Sequence, residues 1–117
     1  MSFISLLTFE NFGTVGNLSP ALNSEFVYDN NGGFSTIGFT LTVPPGATVV
    51  FEGSPDGINF FTLQVFQPIK NIFLASTNAD GVFLAPSAAL TNFKVKVTVA
   101  GSSPGSVSEM KLMPYIF

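Results

Sequence analysis

The stretch Thr36-Ile37-Gly38-Phe39-Thr40-Leu41-Thr42-Val43 decides the fold class. Its apolar residues, Ile37, Phe39, Leu41 and Val43, occupy every second position, with Thr36, Gly38, Thr40 and Thr42 between them. Successive side chains of a β-strand point to opposite faces, so a period of two sets one face against a core and leaves the other in water. Directly after it comes Pro44-Pro45-Gly46. Proline presets φ and glycine accepts positive φ, so this is the chemistry of a tight reversal. A half-buried strand closed by a turn is the unit from which the rest of the chain is read.

Working outward, the same alternation recurs at Phe93, Val95, Val97 and Val99, interleaved with Lys94, Lys96 and Thr98. Both lysines must share one face, and that face is the solvated one. Between these two strands lie 47–53, 59–66, 70–75 and 82–85, all short and rich in Val, Phe, Ile or Thr, and 107–113 closes the series. Asn30-Asn31-Gly32-Gly33, Pro55-Asp56-Gly57, Ala79-Asp80-Gly81 and Ser102-Ser103-Pro104-Gly105 punctuate them. No window supports a helix of ten or so residues, and 87–92 reads as a turn or one helical loop. The pattern predicts an all-β fold: a single-domain antiparallel β-sandwich over 1–117, jelly-roll or Ig-like, with about seven or eight short strands. Residues 1–30 are less regular and are expected to form an arm with one strand and a long loop.

Composition narrows the function. Seven acids against four lysines, with no arginine, give a net charge of -3. No basic patch is available to follow a phosphate backbone, so no nucleic-acid partner is expected. Cysteine and histidine are both absent. Disulfides, thiolate nucleophiles, imidazole bases and the usual zinc ligands go with them, and so do most hydrolase triads. Gly, Pro, Asn, Thr or Ser interrupts every apolar run before the roughly 18 residues of a membrane helix. The apolar opening has no basic residue ahead of it, so no signal peptide is expected, and the chain is expected to act inside the cell or within a larger particle.

Charged residues make up 9% of the chain and hydrophobic residues 46%, with fourteen phenylalanines; an ordinary soluble domain carries about 25% charged residues. So few charges leave a surface prone to self-association unless a partner covers it. The chain is therefore expected to work as a homo-oligomer, a dimer or trimer. The expected contact residues are Phe3, Leu6, Phe9 and Phe12 of the arm and Tyr115, Ile116 and Phe117 at the apolar C-terminus. Phe61 joins them, because adjacent Phe60 and Phe61 point to opposite faces and one of the pair can serve the core while the other meets a neighbour. The phenylalanines, Phe51, Phe60, Phe61, Phe66 and Phe73 among them, are otherwise assigned mostly to the core.

Chemistry-bearing clusters are sparse. Glu52 and Asp56 are the closest carboxylates in mid-chain, but a strand end and a tight turn support a glycosidase pair poorly. Their competing reading is Asp56-Gly57 as turn chemistry and Glu52 as a solvated or locally paired strand residue. Asp29-Asn30-Asn31-Gly32 and Asp56-Gly57-Ile58-Asn59 offer oxygen ligands beside glycine, yet neither has calcium-loop spacing, and turn residues bonded to their own backbone explain them. Lys94 and Lys96 could join Lys70 or Lys111 in an anion-binding strip, or simply keep a strand soluble. No catalytic residue, cofactor or metal site is expected.

Two segments carry a family resemblance. Residues 48–63, Thr-Val-Val-Phe-Glu-Gly-Ser-Pro-Asp-Gly-Ile-Asn-Phe-Phe-Thr-Leu, resemble a motif of bacteriophage virion proteins in which a strand ending in Phe-Glu-Gly-Ser runs through an Asp-Gly turn into Asn-aromatic and a second strand. Residues 93–107 are similar to that family's basic, valine-rich strand leading into a Ser/Gly-rich hairpin. Where the pattern usually has tryptophan this chain has Phe60 and Phe61, and where it has arginine this chain has Lys94 and Lys96. The resemblance implies a small β-sandwich used as a structural or decorating module of a phage particle, on head or tail alike. The whole reading is then a non-enzymatic virion protein assembled in the host cytoplasm, expected to be a capsid decoration or cement protein on the outer shell of major capsid subunits. The alternatives are a tail or baseplate structural component, or a carbohydrate- or host-receptor-binding module.

Overall fold

A computed structural model describes residues 10–11, 16–30 and 36–113; of 10, 11 and 109–113 it describes the backbone. Twelve strands occur among the described residues. They are β1 (Glu10–Asn11), β2 (Gly16–Leu18), β3 (Glu25–Asp29), β4 (Thr36–Thr42), β5 (Thr48–Ser54) and β6 (Phe61–Thr62), followed by β7 (Val65–Gln67), β8 (Ile72–Leu74), β9 (Ser76–Thr77), β10 (Gly81–Pro86), β11 (Asn92–Val99) and β12 (Gly105–Met113). The first sheet has the order β1-β12-β4-β10-β7-β8, with β2 also on β12, and the second has the order β3-β11-β5-β6, with β9 also on β5.

The pairing is nested. β2 pairs β12, β3 pairs β11, β4 pairs β10 and β5 pairs β9, each antiparallel. Outer pairs enclose inner ones, as in one long hairpin, and alternate pairs fall into alternate sheets. Rolling that hairpin brings β4 beside β12 and β5 beside β11. This is the wrapping of a jelly roll. It settles which of the two expected sandwiches is present; eight strands form this framework, and the twelve described strands exceed the expected seven or eight. Of the other four, β1 extends the β12 side of the first sheet, while β6, β7 and β8 belong to an insertion between β5 and β9.

Alternation places the core. Ile37, Phe39 and Leu41 of β4, Phe83 and Ala85 of β10, Val49 and Phe51 of β5, and Phe93, Val95 and Val97 of β11 are all buried. Phe39 and Phe83 are cross-strand partners in the first sheet, and Phe51 and Phe93 face them from the second. Ring centroids lie 5.3 Å apart for Phe39–Phe93 and 5.5 Å for Phe51–Phe83. Sheets stack about 10 Å apart, and two rings from each layer fill that gap. Full burial of one such side chain contributes about 1.5–3 kcal/mol, so this quartet anchors one sheet to the other. Gly105 serves the same closeness at the backbone: a Cβ there would collide with the Thr42 carbonyl oxygen and lie 2.7 Å from the Pro44 nitrogen.

Some elements differ from the sequence reading. Described residues 10–29 hold three strands, β1 to β3, where an arm with one strand is expected. Each is held by a partner far along the chain, so its own alternation need not be strong. Segment 59–66 divides into β6 on the second sheet and β7 on the first, with the chain crossing between layers at Leu63 and Gln64.

Candidate interaction surface

The insertion between β5 and β9 begins at a turn that the local sequence dictates. Ser54 is buried, and its hydroxyl oxygen accepts the backbone N–H groups of Gly57 at 2.8 Å and Asp56 at 3.3 Å. The same hydroxyl donates to Asp56 Oδ1 at 2.9 Å. Asp56 Oδ1 also accepts the N–H groups of Ile58 and Asn59, both at 2.8 Å, and Oδ2 accepts the Asn59 side-chain amide at 2.7 Å. Gly57 has φ of 80°, which a residue with a side chain rarely adopts. The N–H groups of Asn59 and Ile58, then the Asn59 amide and Ser54 hydroxyl, hold the Asp56 carboxyl well below the usual carboxylate range. Asp56 is thus a strongly ionised turn residue, and its oxygens are engaged within the turn.

Glu52 is engaged elsewhere. It sits directly across from Lys94 on the outer face of the second sheet, and Glu25 of β3 is diagonal to that lysine. Lys94 Nζ donates to Glu25 Oε2 at 3.0 Å and lies 3.8 Å from Glu52 Oε1. The same ammonium lies 3.8 Å from the centroid of the Phe60 ring. Two carboxylates and an aromatic face leave the Lys94 side chain only 12% exposed. The Glu52–Asp56 pair therefore divides between an ion cluster and a turn, which supports the structural reading of each. An anion strip does not form either: Lys94 and Lys96 belong to the second sheet, whereas Lys70 lies in the β7–β8 turn and Lys111 on β12 of the first. The Asp29–Asn30 segment is likewise structural at Asn30, which is buried and donates through its amide to the Ser87 and Leu90 carbonyls, each at 3.1 Å. Asn31 and Gly32 lie outside the described residues.

Exposed apolar side chains are the feature that remains. Nine large hydrophobic residues are exposed among the described residues, and five of them, Ile58, Phe61, Ile69, Ile72 and Phe73, fall in the insertion. Ile58 and Ile69 ride on turns, 81% and 85% exposed. Phe61 on β6 is 47% exposed and Phe73 on β8 is 62% exposed. Phe73 packs on half-buried Phe66 of β7 with ring centroids 5.1 Å apart. Phe66 is paired with Leu84 of β10, and Val82, two residues along β10 on the same outward face, is also exposed.

Of the expected contact residues, Phe61 is exposed on this insertion. Phe3, Leu6, Phe9, Phe12, Tyr115, Ile116 and Phe117 lie outside the described residues. The assignment of Phe60, Phe66 and Phe73 to the core is corrected: Phe51 is buried, but Phe60 lies under Lys94 on the outer face of the second sheet, and Phe66 and Phe73 point outward from the first. Register decides this, because Phe66 and Phe73 pair with each other while their neighbours Val65 and Leu74 face inward. The sequence reading also passed over Ile58 and Ile69. A signal was present in Asp-Gly-Ile-Asn and Pro-Ile-Lys-Asn, since an apolar residue inside turn chemistry rarely reaches a core.

Comparison with known proteins returns a fold. No protein-family model matches the chain, and no curated protein matches it. Among solved structures, the SPBc2 prophage-derived protein YomS superposes with a TM-score of 0.67 over 89% of this chain and 92% of its own, at 16% sequence identity. At that identity the likeness is one of fold: an all-β sandwich shared nearly end to end.

Proposed function

We propose that the chain is a non-enzymatic structural protein of a bacteriophage particle: a capsid decoration or cement protein that binds the outside of the assembled shell as a homo-oligomer and travels with the virion. The observation that carries this reading is the concentration of exposed apolar side chains on an insertion that the eight-stranded framework does not require. A framework closed by its own core, plus an appended apolar surface, is what a module built to be covered by a neighbour needs. Two further observations support the phage assignment: the virion-protein motif at 48–63, whose Ser54–Asp56 turn forms as that pattern requires, and the fold shared with a prophage-derived protein. The engagement of Glu52 and Asp56 supports a role without catalysis.

The mechanism is thermodynamic. A protein that binds the assembled shell but not separated subunits stabilises the shell by mass action, and many copies act together. The test is to mix the purified protein with shells assembled from the major capsid protein of its phage. Co-sedimentation with shells, together with a rise in their melting temperature, is the expected result. Absence from the shell pellet combined with retention on tail structures assigns a tail or baseplate component instead, and retention on host glycans assigns a receptor-binding module.

A further inference from the structure

We infer that the Asp56-Gly57 linkage is a latent site of covalent isomerisation and that Ser54 keeps it closed in the folded protein. An aspartate followed by glycine converts readily to isoaspartate, because glycine puts no side chain between its nitrogen and the neighbouring carboxyl carbon. The Gly57 nitrogen attacks Asp56 Cγ and an N–C bond forms. The carboxyl hydroxyl leaves as water, taking the proton that the nitrogen gives up, and a five-membered imide closes. Water then adds to that imide. Opening at Cγ restores aspartate. Opening at the former main-chain carbonyl carbon breaks the original peptide bond and leaves the chain running through the side chain, one methylene longer, with a free α-carboxylate.

Both reacting groups are held by one hydroxyl. Ser54 Oγ accepts the Gly57 N–H at 2.8 Å, so the nitrogen that must attack is already engaged, and it donates to Asp56 Oδ1 at 2.9 Å. The Ile58 and Asn59 N–H groups add two bonds to Oδ1, both at 2.8 Å, and the Asn59 side-chain amide adds one to Oδ2 at 2.7 Å. Closing the imide requires turning the carboxyl toward Gly57 and freeing the nitrogen, which breaks these bonds together. The same donors favour the carboxylate, whereas the form that loses water is the protonated acid.

Ser54 is positioned by the sheet. It is wholly buried, stands opposite Asn92 in the β5–β11 pairing, and its carbonyl accepts the Thr91 N–H at 2.8 Å and the Thr91 hydroxyl at 3.2 Å. A Cβ on Gly57 would lie 3.0 Å from Asn92 Oδ1, so the turn is seated against the same strand. The unfolded chain keeps the Asp-Gly pair and loses the hydroxyl's placement, so protection belongs to the fold. In a particle that leaves its host nothing replaces an altered copy, and durability has to be built into the turn. That relevance rests on the virion reading; the chemistry does not.

The experiment is prolonged incubation of the full chain in mildly acidic buffer, folded and in guanidinium chloride, followed by digestion with a protease that cuts before aspartate but not before isoaspartate. Loss of the cut before Asp56 reads the conversion. The variants are Ser54→Ala, Asn59→Ala and Ile37→Val; Ile37 is buried on β4 of the first sheet and its shortening lowers stability without touching the turn. Folded wild type is expected to convert far more slowly than the unfolded chain. The net contribution of a hydrogen bond corresponds to a rate change of up to about tenfold, and Ser54 supplies one to each reacting group. Folded Ser54→Ala should therefore convert on the order of tenfold faster than wild type. Asn59→Ala, which leaves Gly57 bonded, gives a smaller change, and Ile37→Val none. Should Ser54→Ala not fold, amide exchange of wild-type Gly57 decides: slow exchange supports the guard, and exchange at the unfolded-chain rate overturns it. Equal conversion of folded and unfolded wild type, a folded Ser54→Ala no faster than wild type, or Ile37→Val or Asn59→Ala matching Ser54→Ala also overturns the proposal.

Discussion

Three side chains show how local chemistry divides fold from function. Lys94 sits mid-strand under two carboxylates and beside the Phe60 ring. Lys94→Met keeps the aliphatic stem but leaves Glu25 and Glu52 facing each other without a cation. With both acids partly solvated, the expected loss is about 1 kcal/mol in urea unfolding, and it shrinks at high salt. Asp56 makes a pH-dependent contribution whose sign follows from its lowered pKa. The folded state favours its carboxylate more than the unfolded chain does, so that stability is present above the ordinary Asp value near 4 and is lost as pH falls toward the lowered folded value. Melting curves of wild type and Asp56→Asn should accordingly differ most at neutral pH and converge in acid. Tyr28 shows the opposite direction: burial, and then the neighbouring Asp29 charge, raise its pKa, so the neutral phenol packed against the core is the form the fold prefers.

Among elements, the contrast is between strands that build the core and strands that decorate it. Phe83 on β10 is fully buried against the rings of Phe39 and Phe51, so Phe83→Ala is expected to cost about 3–5 kcal/mol, a large part of the 5–15 kcal/mol total of an ordinary domain. Phe73 on β8 touches Phe66 and is mostly in water. Phe73→Ala should cost under about 1 kcal/mol. Denaturant titration of both variants separates them, and a comparable loss at Phe73 would place β8 in the core after all. The sequence could not draw this line, because a phenylalanine in a short apolar run looks like core whichever face it takes. It could be drawn for β4 and β11, where threonines and lysines mark the wet side across the whole strand. β6 and β9, of two residues each, exist only by pairing with β5, and no local pattern announces such strands. The Ser54–Asp56 turn was legible because all its partners lie within five residues. The outward apolar strip was not, since it needs β7, β8 and β10 to be neighbours first.

For the whole molecule, nested pairing makes a prediction that no single strand does. The chain has four lysines and no arginine, so trypsin has four targets. Lys94 and Lys96 lie on β11 between β3 and β5, and Lys111 lies on β12 between β1 and β4. A protease must pull a substrate strand out into its own cleft, which these pairings resist. Lys70 instead sits exposed in the turn Pro68-Ile69-Lys70-Asn71, closed by the Asn71 N–H on the Pro68 carbonyl at 3.2 Å, with Asn71 at φ of 54°. Limited digestion of the native protein should cut first between Lys70 and Asn71. Every one of the four nested pairs joins a strand before that cut to one after it: β2 to β12, β3 to β11, β4 to β10 and β5 to β9. The halves also share the Phe39–Phe51–Phe83–Phe93 core across the break. The nicked protein is therefore expected to show two bands on a denaturing gel and a single folded species on a native column. Its melting temperature should fall and become dependent on concentration, because unfolding now releases two chains. First cleavage at Lys94 or Lys96, or halves that part without denaturant, would mean that the rolled hairpin is not what holds the two sheets together.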